Sequence, residues 1–209
     1  MLIPFSKLCQ VFQLKIKGIL HVGAHECEEL RDYIQNGVSN QNIFWIEAMP
    51  DKVELIKNNP QIQIFQALID IEDDKNIPFY ITNNGQSSSL LEFGSHATNH
   101  PQVEVVKQIN LTTTRLDTLI DNQNIPIQNI NFLNLDIQGV ELRALKSMEK
   151  YLQHIDFIYT EVNSEEVYKK CDLIQDMDSY LFTFGFKRVA TRMVDNVGWG
   201  DAFYIKINE

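Results

Sequence analysis

Residues 18–30 read GILHVGAHECEEL. Ile19, Leu20 and Val22 form a short apolar run that suits a buried parallel strand. Gly23 follows at once, and the pattern then turns helical, with Glu28 and Glu29 near the start. A strand, a tight glycine turn and a helix N-terminus make a nucleotide-binding corner. The glycine lets a ligand approach the backbone, and the helix end offers unpaired N–H groups.

A second apolar run, Ile43 to Ile46, lies in IFWIEAMP, and Glu47 stands at its C-terminal end. An acid at the end of the second strand of a βαβ unit can accept both hydroxyls of a ribose. The structural alternative is an ordinary strand-end carboxylate facing water.

At 209 residues the chain is long enough for one α/β domain with a sizeable core. A formal net charge of -10 argues against a nucleic-acid backbone as the main partner, because phosphate binding relies on clustered Lys and Arg. Cys9, Cys27 and Cys171 are scattered without metal-type spacing, and free thiols fit a reducing compartment. No signal-peptide pattern or membrane-length apolar run is present, so the expectation is a soluble cytoplasmic protein.

Leu8, Phe12 and Ile16 stand at near-helical spacing and predict an N-terminal helical cap over 1–17. A helix is expected from about Glu26 to Gln35, ended by Asn36-Gly37, and another from Pro50 to about Lys57. QIQIFQAL reads as a third strand. Strands alternating with crossover helices imply a parallel sheet. The middle, 76–115, reads as an insertion of strands and loop. Its polar stretch from Asn83 to Pro101 is expected to form a lid that shapes an acceptor pocket. Pro101 argues against a helix at His96 and His100, which read as solvated loop residues. The core resumes with INFLNLDIQGVELRALKSM, a strand, turn and helix, and then IDFIYTEVN. A helix over Ile174 to Phe182 and two strands around VDNVGWG finish the chain.

Ligands of open α/β sheets bind beyond the carboxyl ends of the strands. That rule gathers Gly23, Glu47, Ala67, Asp136 and Glu161 around one crevice. Asp136 and Glu161 end neighbouring strands, so either can act as a base, or the two can hold a divalent cation such as Mg²⁺. Asp136 could instead be a turn carboxylate bonded to the backbone at Gly139, and Glu141 a helix-start residue. Tyr168, Trp45 and Trp199 read as packing residues.

The motifs HVGAH, WIEAMP, QALID, SSSLL, LDTLI and NLDIQGVELRALK, with a late GF, resemble the FkbM family of S-adenosylmethionine-dependent methyltransferases. They run in the family's order from Gly18 to about Phe186. The resemblance implies a Rossmann-like methyltransferase fold over 1–209. That fold is a mostly parallel, twisted seven-stranded sheet with helices on both faces and a C-terminal antiparallel hairpin. It implies O-methylation of a hydroxyl of a sugar, glycan or natural product. His21, Gly23, Ala24 and His25 would cradle the methionine part of the cofactor, and Glu47 would bind the ribose. Ala67 and Leu68 would flank the adenine with Asp70 close by, and Asp136 would lie near the methionine amino group of the cofactor and the reacting methyl. Ser88, Ser89, His96 and Gln138 would face the acceptor. Many members carry an acid in place of His21 and a glycine in place of Cys27. The alternatives are an RNA ribose 2′-O-methyltransferase, an NAD-linked oxidoreductase, or a non-catalytic cofactor-binding module. The turn lacks a full G-x-G-x-x-G.

Overall fold

The computed structural model describes residues 1–207. In chain order the strands are β1 (Ile19–Val22), β2 (Ile43–Glu47), β3 (Gln63–Gln66), β4 (Leu68–Ile69), β5 (Asn76–Thr82), β6 (Val105–Thr114), β7 (Phe132–Leu135), β8 (Phe157–Asn163), β9 (Phe186–Met193) and β10 (Trp199–Lys206). The α-helices are α1 (Phe5–Phe12), α2 (Leu30–Gln35), α3 (Pro50–Ile56), α4 (His96–Asn99), α5 (Leu116–Asn122), α6 (Glu141–Ser147) and α7 (Ile174–Phe182).

Seven strands form one sheet in the order β3-β2-β1-β7-β8-β10-β9, and β4, β6 and β5 form a small second sheet. The large sheet is parallel except for β10, which runs antiparallel to both neighbours. This is the Rossmann-like methyltransferase architecture with its C-terminal hairpin. Every residue of β1, β2 and β7 is buried. These strands are covered on both faces, which is why they read as mostly apolar runs, interrupted by His21 in β1 and Asn134 in β7. On one face Leu20, Val22, Ile46 and Leu133 pack against Leu116, Leu145 and Leu181 of α5, α6 and α7. On the other, Ile19, Trp45, Phe132 and Phe203 meet Phe5 and Leu8 of α1 and Tyr33 of α2.

The register stacks functional residues in rows across the sheet. Trp45, His21, Asn134, Tyr159 and Phe203 are successive cross-strand partners. Two residues further along come Glu47, Gly23, Asp136, Glu161 and Asp201, with Glu161 and Asp201 directly paired. The first row is a buried support, and the second is the rim of the crevice.

Several local expectations change. Residues 24–29 form turns, with His25 and Cys27 at positive φ (44° and 60°), so α2 starts only at Leu30. The third strand ends at Gln66; Leu68 and Ile69 cross into the small sheet beside β6. The N-terminal helix stops at Phe12, where Gln13 turns left-handed, so Ile16 lies outside it. Residues 83–101 are not one open loop. Ser89 bonds Tyr80, Phe93 bridges Tyr168, and α4 occupies His96–Asn99. Pro101 falls beyond the α4 cap, so its restriction does not reach the helix.

Gly23 adopts φ +91°, and a Cβ built there would lie 1.8 Å from the Asp136 carbonyl oxygen. No side chain fits between β1 and β7 at this point. Gly23→Ala should therefore destabilise the fold by about 3 kcal/mol, combining left-handed strain with overpacking. Urea unfolding measures this; a midpoint equal to the parent's would contradict the packing described.

Candidate active site

A cleft of about 490 Å³ opens over the carboxyl ends of β1, β2, β7 and β8 and under the small sheet. This volume lies within the usual range for small-molecule sites. Glu47 forms one wall and is 5% exposed. Its Oε2 accepts the His25 N–H at 2.7 Å and its Oε1 accepts the Met49 N–H at 2.8 Å. One carboxylate thus ties the β1 turn to the start of α3. Each oxygen retains a further acceptor site, which suits a vicinal diol. Burial raises the Glu47 carboxyl above its ordinary range, against these backbone bonds. Gly23, Ala24 and His25 form the adjoining wall, and Ala67 and Leu68 lie beyond Glu47, so all line the cleft. Asp70 is not among the lining residues and lies 3.6 Å from Arg143.

His21 also borders the cleft, but its ring is built into the support beneath it. It stacks on Trp45 at 4.6 Å, and its Nδ1 lies 3.1 Å from the Tyr33 hydroxyl. Burial lowers its pKa to about 4, so it is neutral. Its ordering of Tyr33 and Trp45 is visible in the structure.

The turn after β7 supplies the opposite wall. Gln138 sits at φ +58° and Gly139 at +105°. Glu141 folds back beneath them: its carboxylate accepts the N–H of Ile137 at 2.9 Å and of Gly139 at 3.1 Å. The backbone partner expected for Asp136 thus belongs to Glu141, which does more than start α6. Asp136 itself faces the open cleft. The Gln138 side-chain amide then donates to Asp136 Oδ1 at 2.6 Å and to Glu161 Oε2 at 2.8 Å. Its Oε1 accepts the Tyr168 hydroxyl, and its backbone carbonyl accepts Ser89 Oγ at 2.8 Å. One glutamine therefore clamps two carboxylates that would otherwise repel.

Asp201 completes the acidic row from β10, bonded by the Tyr159 hydroxyl and by the Leu2 N–H at 2.5 Å. Its depth in the cleft and the nearby Asp201 carboxylate push Asp136 up to about 6, with the Gln138 bond opposing. Asp136 is nevertheless an exposed residue, and solvent screening offsets part of that rise. Glu161 is raised well above its ordinary range by burial first, then by Asp136, Glu141 and Asp201.

His96 is not solvated: it is 6% exposed and stacks on Phe93 at 4.3 Å. His96, His100, Tyr168 and Trp199 all border the cleft. Ser88 does too, although its Oγ already accepts the Thr82 N–H at 3.1 Å, while Ser89 lies behind Gln138. Sequence reading missed Asp201, Tyr168 and the turn-holding Glu141. The only available signal for Asp201 was its place in a C-terminal strand beside Glu161.

Among the described residues, no group of three or more His, Cys, Asp or Glu is arranged to hold a metal ion. No helix among them is long and apolar enough to cross a membrane. The family model described as Methyltransferase FkbM domain matches residues 21–188. A search of curated proteins finds no match. Among solved structures, magnesium protoporphyrin IX methyltransferase (ChlM) from Synechocystis PCC 6803 with bound SAM aligns at TM-score 0.52 and 8% identity. The alignment covers 97% of this chain and 76% of that one. The same protein with bound SAH gives TM-score 0.52 at 7% identity, covering 97% and 80%. A SAM-dependent methyltransferase from Aquifex aeolicus gives 0.45 at 12% identity, covering 97% and 89%. At these identities the likeness concerns the fold.

The buried acids give a pH signature. Burial raises Glu141 to about 8, so the folded state holds a proton that the unfolded state has released. Stability contributed by that proton is present below the unfolded pKa and lost as pH rises through the folded one. His21 and His96 are lowered to about 4 and act only at lower pH. The urea midpoint should therefore fall between about pH 7 and about pH 8.5, and Glu141→Gln should flatten that fall. Equal slopes in parent and variant would contradict this.

Proposed function

The chain belongs to the FkbM methyltransferase domain family, and on that premise we propose that it is an O-methyltransferase acting on a hydroxyl of a sugar or glycan. We take residues 1–209 as one catalytic domain, with 1–17 covering it and 76–115 inserted beside the cleft. The observation that carries the reading is the clamp of Asp136 and Glu161 by Gln138, across the cleft from Glu47.

S-adenosylmethionine, when bound, supplies an electrophilic methyl group on a sulfonium. The donor set fits such a group. Glu47 has free acceptor capacity on both oxygens for ribose hydroxyls, and Ala67 and Leu68 offer a small apolar wall for a base. Gly23, Ala24 and His25 present their turn to the remaining part, with His25 held by its own N–H to Glu47. Asp136 takes the proton of the acceptor hydroxyl, which is otherwise a poor nucleophile. Its raised pKa makes it a better base than an ordinary aspartate. Glu161 keeps Asp136 poised through the shared Gln138 amide, and that amide, Ser88 and His96 stand where an acceptor can be oriented. Orientation of this kind supplies a large part of such a rate. The cleft has no Lys or Arg in its lining, which disfavours an RNA acceptor.

Asp136→Asn keeps the shape and removes the base. Transfer of labelled methyl to a sugar acceptor should fall about 100-fold or more, with little change in unfolding midpoint. Chelator should leave the parent's rate unchanged; loss with chelator and recovery with Mg²⁺ would replace the direct base by a cation held between the acids. Full turnover of Asp136→Asn would overturn both.

A further inference from the structure

The cleft is lined by acids that crowd one another. Among the described residues six carboxyl groups border it — Glu28, Glu29, Glu47, Asp136, Glu161 and Asp201 — and no Lys or Arg side chain does. Lys52, outside the lining, is paired with Glu26, and the ammonium of Met1, a lining residue, lies 3.5 Å from Glu29. No Lys or Arg side chain among the described residues faces the row Asp136, Glu161 and Asp201; the Met1 ammonium at the cleft is the positive charge that acts on Asp136 and Asp201. Glu161 and Asp201 are direct cross-strand partners, an arrangement that costs stability and is offset by the Gln138 amide on Glu161 and by the Tyr159 hydroxyl and Leu2 N–H on Asp201.

A second observation points to the same ligand chemistry. His96 borders this cleft, is 6% exposed, and its Nδ1 has no hydrogen-bond partner among the described residues. Burial and His100 keep its ring neutral, so it can offer a ring nitrogen as an acceptor. Its ring lies 5.5 Å from that of Tyr168, whose hydroxyl holds the Gln138 clamp. The wall thus joins carboxylates, an unpaired imidazole and the aromatic rings of Tyr168 and Trp199. Carboxylates and π-faces attract an ammonium group, and an unpaired acceptor suits a ligand rich in N–H and O–H donors.

We infer that the acceptor carries an ammonium group close to the hydroxyl that is methylated, as in an amino sugar, with the ammonium seated between Glu161 and Asp201. This rests on the methyltransferase reading above and narrows its acceptor. Asp201, held by Tyr159 and the Leu2 N–H, is then a specificity-determining residue. The same field repels phosphate and carboxylate, so sugar phosphates are poor acceptors.

The test is calorimetry on the full chain saturated with S-adenosylhomocysteine, titrated with methyl glucosaminide, methyl glucoside or glucose 6-phosphate. The glucosaminide should bind about tenfold or more tighter than the glucoside, with an advantage that shrinks as salt rises. The phosphate should bind worst. Asp201→Asn and Glu161→Gln, made separately so that misfolding of one leaves the other, should each erase most of the amine advantage while S-adenosylhomocysteine still binds. Equal or better binding of the neutral or phosphorylated sugar, or no binding of any of the three to the loaded protein, overturns the inference and leaves methyl transfer standing. Loss of affinity for S-adenosylmethionine itself in both variants would assign the acids to the donor's charge, and also overturns it. Failure of the parent to bind S-adenosylhomocysteine would instead defeat the methyltransferase reading beneath it.

Discussion

The site depends on one close approach, that of the Gly23 backbone to the Asp136 carbonyl. Any side chain at Gly23 would collide with that oxygen. Because none is there, Asp136 N–H bonds the Val22 carbonyl at 2.9 Å, and Gly23 N–H bonds that of Ile46 at 2.9 Å. Three strand ends are thereby held level. Glu47 is fixed on one side of this point and Asp136 on the other, so the two walls of the cleft share a rigid origin.

Beneath that origin lies a layer that is polar yet buried. Asn134 donates to the Tyr33 hydroxyl at 2.8 Å, Tyr33 meets His21, and His21 stacks on Trp45. The hydrogen-bonded members, Asn134, Tyr33 and His21, resist rearrangement because breaking one strands a polar group away from water, whereas the Trp45 Nε1–H has no partner among the described residues and is held by stacking. Above it, the left-handed Gln138 is held by Ser89 and Tyr168, and Glu141 accepts the N–H groups of its neighbours Ile137 and Gly139. The strained conformation persists because three separate elements specify it. The consequence is chemical: two acids with raised pKa stand beside one amide, in a cleft that still admits water.

The apolar runs at Ile19–Val22, Ile43–Ile46 and Phe132–Leu135 made the parallel core legible, since strands buried on both faces show no alternation to confuse them. Acids at strand ends were legible for the same reason: Glu47 closes and Asp136 follows such a run, whereas Glu161, expected at the end of its strand, lies inside β8, which continues to Asn163. What escaped was set by contacts distant in sequence. Ser89 and Tyr168 reach Gln138 across 49 and 30 residues, and Asp201 meets Glu161 only through the antiparallel pairing of β10. His96 read as solvated because its partner Phe93 gives no periodic signal, and Pro101 was allowed to argue against a helix that ends before it. The N-terminal turns of α2 were hidden because Glu26 to Glu29 suit a helix start, while His25 and Cys27 adopt positive φ to bring the His25 N–H onto Glu47.

The central claim is that Glu47 and the Gly23 turn together form the donor site. It is tested most directly by calorimetric titration of S-adenosylmethionine into the parent and Glu47→Ala. Removing the carboxylate deletes the ribose acceptors and frees the His25 and Met49 N–H groups. Binding should weaken by about 1.5–3 kcal/mol, roughly tenfold to over a hundredfold, in a variant that remains folded. A folded Glu47→Ala protein with the parent's affinity would show that the donor lies elsewhere.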